Sequence, residues 1–147
     1  MLFSYYYRVV MLHFSDRWGT IHSMTKVMGF FYPYTPIIVN PVIEEVFANL
    51  LSNAIKYSPI EGKIIIDIID EGEDWKVKVT DFGEGISDDD KPKLFERFKR
   101  VEKGAIKGTG LGLAIVKRLI SLHGGTVGIE DNPAGQGSVF WVTMKKA

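Results

Sequence analysis

"KIIIDIIDEGEDWKVKVTDFGEGI", residues 63–86, decides the architecture. Ile64, Ile66 and Ile68 fall on one side of a pleated strand. Further on, Trp75, Val77 and Val79 alternate with Lys76, Lys78 and Thr80. "EGED" between the two runs reads as a turn. Residues 63–70 and 75–81 therefore form a hairpin with one apolar face, and that face must be covered.

Cover is available on both sides in sequence. Upstream, Asn40-Pro41 is a helix start, with Asn as N-cap and Pro at the first helical position. Glu44 and Glu45 follow where the helix dipole favours negative charge. Ile43, Val46, Phe47, Leu50, Leu51, Ala54 and Ile55 recur at helical spacing, and Ser58-Pro59 ends the run. Downstream, "DDDKPKLFERFKR" (88–100) predicts a short helix, and 110–123 a second, closed by Gly124-Gly125. "TVGIE" and "SVFWVTM", joined by "DNPAGQG", are two more strands. The order predicts an α/β (α+β) two-layer sandwich: a mixed, mostly antiparallel sheet with helices on one face.

Composition narrows the function classes. Lys plus Arg equals Asp plus Glu, so nothing suggests wholesale nucleic-acid binding. With no cysteine there are no disulfides and no thiolate metal sites, which fits a reducing compartment. No apolar run has the roughly 18–20 residues of a membrane helix. "MLFSYYYRVVMLHF" is short, broken by Arg8 and lacks a cleavage site, so it does not read as a signal peptide. Residues 1–36 hold 10 of the 18 aromatics and show no regular pattern apart from possible lead-in strands near 7–14 and 37–39.

Three features exceed what a structural helix or strand needs. Glu45, Asn49, Asn53 and Lys56 share one sector beside the apolar face of helix 41–57, although Asn costs helix propensity. They are either a solvated face or a ligand face. Asp81 has the parity of Trp75, Val77 and Val79 and so points to the apolar side, where a carboxylate needs a partner. It either caps its own turn or accepts from a donor such as an adenine amino group, with Gly83 and Gly85 letting backbone come close. Gly108, Gly110 and Gly112 open a helix just after Lys99, Arg100, Lys103 and Lys107. That is either a surface loop or an anion site at a helix N-terminus. GxxxxGK[ST] is absent, GxGxG is not the dinucleotide fingerprint, and "DFG" at 81–83 lacks a protein kinase's catalytic loop before it.

Together these stretches resemble the catalytic, ATP-binding domain of sensor histidine kinases, in the group that includes gyrase, the heat-shock chaperone and mismatch-repair ATPases. "NLLSNAIKYS" (49–58) looks like the N box, "DFGEGI" (81–86) the G1 box, "LFERFKR" (94–100) the F box and "GTGLGLAIVKRLISLHGG" (108–125) the G2 box. The resemblance covers roughly 38–146. It implies a Bergerat-type ATP-binding fold over 38–147, with 1–37 an unassigned lead-in that could add an edge strand. It implies ATP and Mg²⁺ as cofactors, with Asn53 completing the Mg²⁺ shell, Asn49 beside the phosphates and Lys56 reaching one. Tyr57 would lie against adenine and Asp81 would accept its amino proton. Gly83, Gly85, Ile86 and Phe95 would line the pocket, Arg100 would approach the γ-phosphate, and Lys107, Gly108, Thr109, Gly110, Leu111 and Gly112 would form the lid.

In ATP-hydrolysing relatives a Glu four positions before the Mg²⁺-binding Asn activates water. Asn49 stands there, and an amide is no general base. The resemblance thus implies phosphoryl transfer to a protein side chain. His13, His22 and His123 lack an acceptor context, so the acceptor is expected on a separate histidine-containing dimerisation domain, with a response regulator downstream. Dimerisation is expected only through that missing domain, and the domain itself is expected to be cytoplasmic with no membrane insertion. The alternative is a nucleotide-sensing regulatory module or an anti-sigma-factor-like serine kinase that acts by partner binding.

Overall fold

The computed structural model describes residues 6–12, 41–58, 62–96 and 112–146. The hairpin forms as its pattern requires. Strand β2 (Lys63–Glu71) pairs antiparallel with β3 (Asp74–Thr80), with Ile66 opposite Val79 and Ile68 opposite Val77. Strand β1 (Tyr6–Leu12) lies along the other side of β2, where the sequence suggested a lead-in strand near 7–14. Strands β4 (Val127–Asp131) and β5 (Ser138–Lys145) form a second hairpin, and β5 pairs with β3. Among the described residues this gives a five-stranded sheet in the order β1-β2-β3-β5-β4, with every pairing antiparallel. The expected strand at 37–39 lies outside the described residues.

Two helices cover one face of the sheet. Helix α1 (Pro41–Tyr57) contributes Val46, Phe47, Leu50, Leu51 and Ala54, and α2 (Gly112–Leu122) contributes Leu113, Val116 and Ile120. They pack on Ile64, Ile66, Ile68, Trp75, Val77, Val79, Phe140, Val142 and Met144 from alternate positions of three strands. Each large apolar side chain buried here contributes about 1.5–3 kcal/mol, so the layer contact dominates the fold's stability. The two-layer α/β sandwich is the architecture that the alternation predicts.

The segment from 88 onward differs from the predicted helix. A 3₁₀ turn, Lys91–Phe95, replaces it, and Glu96 is already extended. Pro92 stands at the turn's first positions, where its missing N–H costs nothing, and the aspartates before it lie in a turn that bonds back to the Ser87 carbonyl. Asp90 donates its backbone N–H to the carbonyl of Ser87, whose hydroxyl in turn contacts the Asp90 carboxylate at 2.7 Å. Residues 97–100 lie outside the described residues. Helix α2 ends as expected: Gly124 has φ +71°, and the Gly125 N–H reaches back to the carbonyl of Ile120 at 2.9 Å.

On the far face of the sheet, Gly128 of β4 sits opposite Trp141 of β5. A Cβ on Gly128 would lie 2.2 Å from the indole, so the ring occupies the space above that glycine. The Lys76 ammonium lies 4.4 Å from the centre of the same ring.

Candidate functional site

The site is built where β3 ends. Asp81, one residue beyond the strand, is 2% exposed. Its Oδ1 accepts the Gly83 N–H at 3.0 Å and the Ser138 N–H at 3.2 Å. Its own N–H donates to the Ser138 carbonyl at 2.9 Å, and its carbonyl accepts from the Asn132 side chain at 3.1 Å. The buried carboxylate is thus stabilised by backbone donors from two segments, which offsets its desolvation. Asp81 caps its own turn through Gly83, the first of its two sequence readings, and it is buried as its parity predicted.

Close backbone approach explains two of the glycines. A Cβ on Gly83 would lie 2.0 Å from the Tyr57 carbonyl, so the loop after β3 presses against the end of α1. That contact brings Asp81 and Tyr57 into one neighbourhood. A Cβ on Gly137 would lie 2.1 Å from the Asp81 carbonyl, and Gly137 has φ +120°, which side chains rarely adopt. Gly85 lies against Gly137, while Ile86 and Phe95 pack half-buried on the edge of the core.

The second half of the site lies on α1. Asn49 and Asn53 are half-buried one turn apart, and Lys56 is exposed beyond them. The Asn49 amide donates to the Glu45 carbonyl at 2.9 Å and to its carboxylate at 3.2 Å. Its oxygen faces α2, where a Cβ on Gly112 would meet it at 2.8 Å. Gly112 therefore lets the N-terminus of α2, whose first N–H groups have no partner within the helix, come up to the asparagine ladder. An anion at that helix N-terminus would meet backbone donors. Arg100, Lys107, Gly108, Thr109, Gly110 and Leu111 lie outside the described residues.

For Mg²⁺ the donor set is oxygen-rich but sparse. No group of three or more His, Asp or Glu that could hold a metal occurs among the described residues. Asn53 offers one neutral oxygen of the type that Mg²⁺ accepts alongside substrate phosphates. The residues fit a metal delivered with a nucleotide.

Sequence reasoning missed three members of the site. Asn132, Gly137 and Ser138 belong to the β4–β5 hairpin. The Ser138 hydroxyl is buried and, among the described residues, has no hydrogen-bond partner, although its own N–H is bonded to Asp81. "NPAGQGS" carried a signal in its two glycines before a strand, but it reads as an ordinary turn until its contact with Asp81 is known.

A lysine braces the rim. Lys91 lies 2.8 Å from Asp131, next to Asn132, and 2.5 Å from Asp88. Hydrogen bonds to Asp131 and then Asp88 raise the Lys91 pKa, and the bond from Lys91 holds the Asp88 carboxyl below its usual value. The clasp ties the 3₁₀ turn to the end of β4.

Comparison with known proteins gives the same picture. The model of the "Histidine kinase-, DNA gyrase B-, and HSP90-like ATPase" family matches residues 39–147. The sensor protein KdpD of Escherichia coli is 40% identical over 114 residues, which is 76% of this chain and 13% of that protein. The sensor-like histidine kinase SenX3 of Mycolicibacterium smegmatis is 45% identical over 100 residues, 66% of this chain and 26% of that one. Among solved structures, the mycobacterial sensor histidine kinase MprB superposes with a TM-score of 0.65 at 30% identity, covering 71% of this chain and 70% of that chain. The chain thus spans about a quarter or less of these two curated relatives.

Proposed function

Since the chain belongs to the histidine kinase-, DNA gyrase B- and HSP90-like ATPase family, with a histidine-kinase-type ATPase domain, we propose that it binds Mg-ATP and donates the γ-phosphoryl group to a histidine on a separate dimerisation domain. Asp81 carries the reading: a carboxylate 2% exposed, fixed by backbone and flanked by a buried hydroxyl on Ser138. That pairing suits a base edge with an amino donor. Asp81 accepts from the 6-amino group, Ser138 completes the polar contact, and Tyr57 lies along the ring. Residues 38–147 form the catalytic unit on this reading, with β1 as an added edge strand.

At the other end Asn53 would hold the metal with the phosphates, Lys56 and Arg100 would meet phosphate oxygens, and the lid role would fall to residues 107–112. A metal held there would supply positive charge to the phosphates. The chain's own contribution is positioning. Asn49 spends its amide protons on Glu45 and has no basic atom to take a proton from water. An incoming imidazole needs no such base: its nitrogen lone pair forms the P–N bond, the bridging P–O bond breaks, and ADP leaves with that electron pair. The ring's other N–H then loses its proton to solvent. A response regulator would take the phosphoryl group from that histidine.

The test uses γ-labelled ATP. The isolated chain stays unlabelled, and a dimerisation domain added in trans acquires acid-labile label on its histidine. Label on this chain's own His22, or transfer to water at the same rate with and without the acceptor, overturns the reading.

A further inference from the structure

We infer that Asn132 is a positioning residue for Asp81, and that the β4–β5 hairpin thereby sets the preference for a 6-amino over a 6-oxo purine. The inference rests on the proposed role of Asp81 as the adenine acceptor.

Asn132 follows β4 and is 5% exposed. A carboxamide so deeply buried needs its polar atoms paired. Its Nδ2 donates to the Asp81 carbonyl at 3.1 Å and to the Gln136 carbonyl at 3.2 Å. Its Oδ1 accepts the Ala134 N–H at 3.0 Å, and its own N–H donates to the Gly137 carbonyl at 3.1 Å. Three of these bonds shape the turn 132–137. The fourth leaves the turn and reaches the peptide that follows Asp81.

That fourth bond fixes direction. The Asp81 N–H is held by the Ser138 carbonyl, and the Asp81 carbonyl by Asn132. With both flanking peptide planes held, the Cα–Cβ bond of Asp81 has one orientation. The Gly83 and Ser138 N–H groups then fix the carboxylate through Oδ1. Gly137 presses on the same carbonyl, so the turn cannot shift without moving it. Without the Asn132 donor the buried carbonyl loses the bond that ties it to the turn, and the peptide that aims the carboxylate is free to rotate.

Base discrimination tests this, because a merely structural asparagine would not move it. Binding of ATP and of inosine triphosphate, which carries a 6-oxo group, is measured by calorimetry on the full chain. The wild type prefers ATP. Asn132→Ala lowers that preference about tenfold, the order expected when one buried hydrogen bond is misaligned. Asn132→Asp has nearly the same volume, still accepts from Ala134 and cannot donate to the Asp81 carbonyl. It lowers the preference likewise, and it serves if the alanine variant does not fold. Ile129→Ala, in the same hairpin but packed on the core, loses stability and keeps the preference. Wild-type preference in both Asn132 variants, or an equal loss in Ile129→Ala, overturns the inference. Asp81→Asn separates the two levels. If it leaves the preference intact, the adenine assignment itself fails. If it abolishes the preference while the Asn132 variants retain it, only the positioning role fails.

Discussion

The two ends of the site are built differently. At the base end, backbone atoms at Gly83, Gly137 and Ser138, together with the Asn132 side chain, converge on one buried carboxylate. At the phosphate end, Asn49, Asn53 and Lys56 are side chains of a single helix, half-buried or exposed, and the described bonds of Asn49 run back to Glu45 one turn earlier. On the proposed reading, a rigid planar base would meet groups already fixed by backbone, and a flexible, highly charged phosphate chain would meet side chains with room to adjust. Affinity for the base should therefore be brittle to small changes in backbone, and affinity for the phosphates should be graded.

Brittleness is tested most severely at Gly83. Gly83→Ala drives a methyl into the Tyr57 carbonyl and is expected to cost about 3 kcal/mol or more in denaturant unfolding. Gly72→Ala is the matched comparison: φ is +84° but nothing lies within 4 Å, so the loss should be about 1 kcal/mol, the backbone term alone. Equal losses would mean that the close approach carries no cost. Next comes Asp81→Asn, which keeps the shape and replaces an acceptor oxygen by a donor. Calorimetry should show ATP binding weakened by about 1.5–3 kcal/mol, roughly 10–150-fold, with ITP affected less.

The phosphate end should respond more gently and conditionally. Asn53→Ala should weaken nucleotide binding roughly tenfold in Mg²⁺ and barely in chelator, a difference that titrations under both conditions would read. If the loss is the same in both, Asn53 does not act through the metal. The smallest effect belongs to the rim. The pKa of Asp88 is depressed, so its contribution is present above the unfolded-state pKa and lost as pH falls through the folded-state value. The pKa of Lys91 is raised, so its share is present below its unfolded-state value while its carboxylate partners stay ionised, and is lost as pH rises through the folded-state value. The unfolding midpoints of wild type and Asp88→Asn should differ slightly at neutral pH and converge in acid. Because Asp88 is exposed to solvent, salt should shrink the difference too.

Legibility in the sequence follows the same division. Helix α1, the first hairpin and the buried parity of Asp81 could be read because each is a repeat within a few residues. The shared sector of Asn49, Asn53 and Lys56 on α1 was legible for that reason, since side chains one turn apart on a helix must share a side. Asn132, Gly137 and Ser138 were not, because they acquire meaning only where the chain returns to Asp81 after 50 or more intervening residues. Over 88–100 the sequence signalled a short helix with an acidic entry; the described part coils as a 3₁₀ turn over Lys91–Phe95 and is extended by Glu96.

The glycine beneath the Trp141 indole works as a registration mark. A slip of one residue between β4 and β5 would bring Val127 or Ile129 under the ring, where their branched side chains have no space. The strand at the sheet's edge can therefore dock in one phase only. Since the turn that grips Asp81 closes that same hairpin, the phase set at Gly128 is carried along the strands to the base pocket. The aim of one carboxylate is thus kept by a tryptophan on the opposite face of the sheet.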